Sequence, residues 1–188
     1  MVRHRKPRRI VEVSAGSTTR TMAAAVEKNA VETGQRPELV TIYPSPYPFF
    51  DQIPSRVRDS VDLEVIRSIV QVVCLDVFRR QEDNDILFVD SSHVFKTASD
   101  VEWEFLQVYP ILQSGMAVHI HDIFFPFDYL RQWNDKDYRF WNEQYFLDTV
   151  LQYRRLSYRP PARVVPDGSS RVGQGWQFGA AVDRPCRT

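Results

Sequence analysis

The strongest constraint in this sequence is the run Asp85 to Val89 (DILFV), near-continuously apolar and followed at once by Asp90. A half-solvated strand alternates apolar with polar residues, whereas a short unbroken apolar run belongs to a strand covered on both faces, the usual condition of a parallel sheet. Related runs occur before and after it. Arg9 to Val13 (RIVEV) is β-rich and is broken by the small residues Ser14 to Ser17, after which Thr18 to Glu32 is helix-compatible with Gly34 at its C-cap position. Leu39 to Tyr43 (LVTIY) reads as a second strand, stopped by Pro44, Pro46 and Pro48, and Val61 to Ile66 as a third. A short helix over Leu75 to Arg80 leads to DILFV as the fourth strand. A helix over Ser99 to Tyr109, with Val101, Phe105 and Val108 on one face, then leads past Gly115 to a fifth strand at Met116 to Ile120. Alternation with short connections predicts an α/β fold: a mainly parallel, doubly wound sheet with helices on both faces. Ligands of such sheets bind beyond the carboxyl ends of the strands.

Beyond the fifth strand the pattern predicts an aromatic loop (Phe124 to Trp133) and an amphipathic helix over Tyr138 to Tyr153. Residues 160–188 are rich in glycine and proline and poor in hydrophobic periodicity, which predicts a loose tail. The expected organisation is a basic, solvated segment at 1–8, one domain at 9–159, and that tail.

Charge narrows the partners. Lysine plus arginine equal aspartate plus glutamate at 24 each, so no overall field favours nucleic acid or an anionic membrane surface. No segment approaches the roughly 18 apolar residues of a membrane span, and the basic start lacks the apolar core of a signal peptide. A cytoplasmic protein acting on a small molecule is the expectation, and its oligomeric state is not readable. Cys74 and Cys186 have no metal-type spacing and are read as free thiols.

Three motifs carry the chemistry. In the first, Val11 to Thr18 (VEVSAGST), a strand enters a small-residue turn and then a helix, so backbone N–H groups and the positive helix end can approach an anionic group. Asp90-Ser91-Ser92-His93 (DSSH) follows the fourth strand, and His119-Ile120-His121-Asp122 (HIHD) ends the fifth. Period-2 geometry puts His119 and His121 on one face, with His119 the deeper, core-like residue. If strands four and five are neighbours, Asp90, His93, His121 and Asp122 converge as a catalytic cluster. Asp90, His121 and Asp122 also form a candidate donor set for a divalent metal ion. Phe124, Phe125, Tyr129, Trp133 and Trp141 are candidate walls of an acceptor pocket. Asn142, Glu143 and Gln144 are read as the polar face of the last helix.

The runs RIVEVSAGSTTR, DILFVDSSHVFKTASDVEWEFLQVYP, HIHDIFFPFDY and RFWNEQYFL resemble a bacterial family of class I methyltransferases, methyltransferase family 24, over about residues 9–155. The resemblance implies a Rossmann-like fold, S-adenosylmethionine as cofactor, and methyl transfer to oxygen on a small metabolite or a sugar. It puts Glu12, Ser14, Ala15, Gly16, Ser17 and Thr18 on the cofactor loop, with Tyr43, Gln71 and Asp90 along the rest of the cofactor site. Two residues depart from the family pattern. Ser14 stands where glycine is usual, and Tyr43 stands where an acidic residue would hold both ribose hydroxyls, so weak cofactor binding is expected. The chain also begins close to the first strand and shows no clear final strands, as in a form truncated at both ends. A metal-dependent enzyme of the same fold, or a degenerate fold serving as a binding module, are the alternatives these departures leave open.

Overall fold

The computed structural model describes residues 1–45, 53–153 and 174–176. Its centre is a sheet in the order β3-β2-β1-β4-β5-β6. The strands are β1 (Arg9–Val13), β2 (Glu38–Ile42), β3 (Asp62–Ile66), β4 (Ile86–Val89), β5 (Ala117–Ile120) and β6 (Gln174–Trp176). The first five run parallel and β6 pairs antiparallel with β5. The doubly wound α/β fold expected from the sequence is therefore present, with strand bounds within a residue or two of those expected. The short strand β6 lies inside the segment expected to be a loose tail. Its flanking residues, and the proline-rich stretch 46–52, lie outside the described residues.

The central strands β1, β2, β4 and β5 are covered on both faces, which is why they are mainly apolar, whereas the edge strand β3 is exposed to half-buried. On one face Ile10, Leu39, Ile86, Phe88 and Ala117 pack with Met22, Ala23 and Val26 of α2 (Ser17–Thr33) and Val57 of α3 (Ser55–Ser60). On the other, Val11, Val13, Val40, Ile42, Leu87, Val89, Val118 and Ile120 meet Phe78 of α4 (Asp76–Arg79), Val101 of α5 (Asp100–Trp103) and Leu147 of α7 (Glu143–Tyr153). Helix α2 stops at Gly34, whose φ of 68° lets its N–H reach Ala30 O at 2.8 Å.

The helix expected over Ser99 to Tyr109 is not uniform. After α5 the backbone passes through a π turn at Glu104–Val108 and a 3-10 turn at Tyr109–Ile111. A short helix, α6 (Arg131–Asp135), interrupts the aromatic loop. The last helix starts at Glu143 rather than Tyr138, because Tyr138 and Phe140 each take φ near 52°, outside helical space.

The basic start is ordered, with Arg3, Lys6 and Arg8 exposed. Val2–Arg5 forms the short helix α1, from which Arg3 pairs with Asn29 and Glu32, and Arg5 donates to Gly115 O at 2.9 Å. Arg9 is buried at the amino edge of the sheet and pairs with Glu38. Cys74 is disulfide-bonded, a correction to its reading as a free thiol: a disulfide depends on spatial approach, which sequence spacing does not reveal.

Gly115, immediately before β5, has φ of 87°, and a Cβ there would lie 1.8 Å from Asp83 Oδ1. Asp83 is a flexible surface side chain and can turn aside, but the positive φ cannot be relieved in that way. Gly115→Ala is expected to cost about 1–2 kcal/mol in a denaturant melt. Adding Asp83→Ala should recover little of that loss; full recovery would assign the cost to the clash instead of the backbone.

Candidate active site

Parallel pairing brings the expected residues to one edge. The last rungs of the ladder run Tyr43 N to Ile66 O (3.0 Å), Ser14 N to Ile42 O (3.1 Å), Asp90 N to Val13 O (3.0 Å) and His121 N to Val89 O (2.8 Å). Tyr43, Ser14, Asp90 and His121 thus stand in a row across four strands, at the roughly 4.8 Å spacing of neighbouring strands.

Within the row, between Tyr43 and Asp90, is the loop between β1 and α2. Glu12, fully buried, accepts from Thr18 Oγ1 (3.1 Å) and Thr19 Oγ1 (2.8 Å) through one oxygen, and from Thr41 Oγ1 (3.0 Å) through the other. Thr19 Oγ1 in turn accepts the Gly16 N–H at 3.1 Å. Glu12 therefore holds the loop and the start of α2 in place rather than lying open at the crevice, and Thr19 and Thr41 share that work without having been singled out in the sequence. Burial pushes the Glu12 carboxyl up to about 7, against the pull of its threonine hydrogen bonds. Gly16 leaves open space where a side chain would stand. Gln71, expected near an adenine, lies in the 3-10 turn Val70–Val72 and donates to Ala98 O at 3.2 Å.

The two strand-end motifs do converge. His93 Nε2 lies 3.2 Å from Asp90 Oδ1, while His121 Nδ1 lies 3.7 Å from Asp90 Oδ1 and 3.2 Å from Asp122 Oδ1. The His121–Asp90 contact is within ion-pair range but too long for a hydrogen bond. His93 and Asp122 both take left-handed backbone, φ 58° and 52°, a costly conformation that recurs at functional sites. His119 lies deeper, stacked on Phe88 at 4.7 Å, and burial pushes its imidazole down to about 4, so it is neutral.

The sequence reading missed the partner behind His93. Glu143, taken for part of a polar face, is 0% exposed, and its Oε2 lies 2.9 Å from His93 Nδ1. Gln144 is also buried and accepts the Phe124 N–H at 3.2 Å, while Asn142 Oδ1 accepts the Phe95 N–H at 2.6 Å. The polar run N-E-Q is turned inward because it starts the helix against the DSSH loop. Its signal in the sequence is position: a carboxylate between Trp141 and Phe146 at a helix start. Glu104, likewise buried, accepts from Ser91 Oγ at 3.1 Å. Burial opposes charge on His93, but hydrogen bonds to Asp90 and Glu143 outweigh it and carry the imidazole up to about 9. The Asp122 carboxylate raises His121, and burial raises both Glu143 and Glu104.

Aromatic side chains surround this cluster. Trp141 lies 4.2 Å from the His93 ring and 4.7 Å from Trp133, and Trp133 lies 5.5 Å from Phe124. Tyr129 lies 5.8 Å from Trp141, and the Arg139 guanidinium covers both indoles at 4.6 and 4.9 Å. Phe125 instead packs against the main core.

The expected metal site is not assembled. Among the described residues no three His, Cys, Asp or Glu side chains are grouped to hold an ion. Asp90 and Asp122 both lie beside the same nitrogen of His121, at 3.7 and 3.2 Å. A groove of about 660 Å³ between α2 and α3, lined by Arg20, Ala24, Glu27, Lys28, Ile53 and Val57, includes no member of the cluster. No helix among the described residues is long and apolar enough to cross a membrane.

Five parallel strands with a small-residue turn after β1 and polar side chains along their carboxyl edge have the fold of the class I S-adenosylmethionine-dependent methyltransferases. Comparison with known proteins agrees. A family model described as a methyltransferase domain, that of methyltransferase family 24, matches residues 12–123. The chain belongs to this methyltransferase family. Among solved structures, the SAH-bound methyltransferase PaMTH1 of Podospora anserina is similar in fold, with TM-score 0.52 and 18% identity over 95% of this chain and 74% of that one. No curated protein matches the chain. Glu143 lies outside the segment that the family model matches.

Glu12 has a folded-state proton affinity above its unfolded value, so its contribution to stability is present below about pH 4.5 and is lost as pH rises through about 7. Glu12→Gln, neutral and nearly isosteric, should raise the melting temperature at pH 8, by about 1–2 kcal/mol in stability, and leave it unchanged at pH 4. Equal melting temperatures at both pH values would mean that the carboxylate is not strained by burial.

Proposed function

We propose that this protein transfers the methyl group of S-adenosylmethionine to a hydroxyl of a small metabolite or sugar, with Asp90 as the proton acceptor. The observation that carries the reading is the row of strand-end residues, which sets the loop after β1 beside the Asp90 carboxylate. S-adenosylmethionine supplies a methyl group already activated on a positively charged sulfur. Ser14, Ala15, Gly16, Ser17 and Thr18 would hold its methionyl part against the start of α2, where the free N–H groups favour a carboxylate. Tyr43 would face its ribose, and Gln71 its adenine.

The residues of the cluster then have separate tasks. Attack by the acceptor oxygen forms the new C–O bond as the methyl–sulfur bond breaks, the electron pair stays on sulfur, and the hydroxyl proton passes to Asp90. Developing positive charge on the oxygen makes even a modest carboxylate base sufficient. His93, protonated at neutral pH, is not itself the base but a donor that orients Asp90. Phe124 and Trp141, half-buried and backed by the buried Tyr129 and Trp133, would provide flat apolar surface for a phenolic or sugar ring, with Asp122 and His121 on the β5 side.

Assays use S-adenosylmethionine with a panel of small phenols, alcohols and sugars. Asp90→Asn should lower turnover of the best acceptor by about 10²–10⁴-fold while the melting temperature stays close to that of the parent. His119→Ala should show the reverse, a clear loss of stability with a smaller effect on turnover. Retained turnover in Asp90→Asn would remove Asp90 from the chemistry.

Tyr43→Glu should tighten S-adenosylmethionine binding in calorimetry by about 1–3 kcal/mol, because a carboxylate accepts from both ribose hydroxyls where a phenol does not. Unchanged or weaker binding would show that Tyr43 does not face the ribose.

A further inference from the structure

The DSSH loop is held from behind at its histidine. Asn142 N and Glu143 N, at the start of α7, both donate to His93 O, at 3.0 and 3.2 Å. The Asn142 side chain bonds both backbone groups of Phe95, accepting from N at 2.6 Å and donating to O at 3.3 Å, and Trp141 packs against the imidazole. Backbone and packing therefore suffice to fix where the loop lies. They leave unexplained why the group facing His93 Nδ1 is a carboxylate with 0% exposure. An uncompensated charge in that position is strongly destabilising, and Gln would fill the same space. Opposite Glu143, across the ring, is Asp90, which is partly open to the crevice. The ring is thus clamped between two carboxylates, one sealed in the core and one facing the place of reaction.

We propose that Glu143 is a positioning residue of the methyl-transfer site: through His93 it holds a fixed positive charge against Asp90 and aims that carboxylate at the acceptor hydroxyl. The inference rests on the reading of Asp90 as proton acceptor. The groups around His93 are consistent with it. Asp90 lies on the strand side and Glu143 on the helix side, with Asp100 and Glu104 near Glu143 from the α5 side and His121 within electrostatic reach of His93 from β5. Glu104 accepts from Ser91 Oγ at 3.1 Å, whereas Glu143 faces His93 Nδ1 at 2.9 Å, so Glu143 is the buried acid paired with the imidazole. The arrangement has the logic of a carboxylate holding a catalytic imidazole, with the exposed carboxylate in place of a nucleophile.

A charge role and a merely structural role separate in Glu143→Gln, which keeps an acceptor for His93 Nδ1 and removes the charge. The His93 ring is followed by NMR titration of the full-length protein labelled at histidine, and turnover is measured with S-adenosylmethionine and the best acceptor of the panel. The proposal expects three results together: His93 releases its proton at least one pH unit lower than in the parent, kcat falls at least tenfold, and KM stays within twofold. An unchanged His93 titration, or an unchanged kcat, overturns it and leaves Glu143 as a strut. Should Glu143→Gln melt early, Glu143→Asp, which keeps the charge but withdraws it by one methylene, serves instead. A fall in kcat with a lowered His93 titration supports the proposal, and an unchanged titration overturns it. Failure of the methyltransferase reading has a different signature, absence of S-adenosylmethionine binding by the parent protein in calorimetry, and the His93 titration is read independently of it.

Discussion

Parallel pairing with β1 is the constraint on which the rest of the structure depends. A parallel ladder has a direction, so every strand that joins it delivers its following residue to the same edge. Because β1 is bonded to β2 on one side and β4 on the other, the loop that follows it lies between Tyr43 and Asp90. No long-range electrostatic attraction is needed to gather the cluster. The register of apolar strands, each buried on both faces, places the polar residues, and local hydrogen bonds then settle their orientation.

Most of that frame was legible in the sequence because the relevant signals are local. DILFV, RIVEV and LVTIY announce doubly covered strands, and the polar residues immediately after them are obliged to emerge at the carboxyl edge. Convergence of Asp90, His93, His121 and Asp122 followed from that geometry. What could not be read was non-local. Arg5 finds its acceptors at Asn84 and Gly115, far along the chain, so the anchoring of α1 could not be read from a basic run. Glu143 looked like surface because N-E-Q at a helix start is polar in composition, and only the docking of α7 onto the DSSH loop turns it inward. For the metal expectation the sequence supplies ligand types but not their directions, and among the described residues no three such side chains are grouped to hold an ion.

The buried acids divide by what lies next to them. Glu12 is surrounded by threonine hydroxyls, which solvate it without supplying charge, so burial raises its proton affinity into the neutral range. Glu143 meets an imidazole and can stay ionised as half of a pair. The same residue type thus acts once as a polar peg for a loop and once as a source of field, and the difference lies in the neighbour alone.

Trp141 gives this arrangement an optical consequence. An excited indole gives up an electron readily to a protonated imidazole in contact with it and much less to a neutral one, and here the two rings are 4.2 Å apart. The emission of Trp141 is therefore tied to the charge on His93. A molecule settling against that indole would alter both its exposure and its quencher, so the light emitted by one side chain would register occupancy of the crevice and the protonation of the residue behind it.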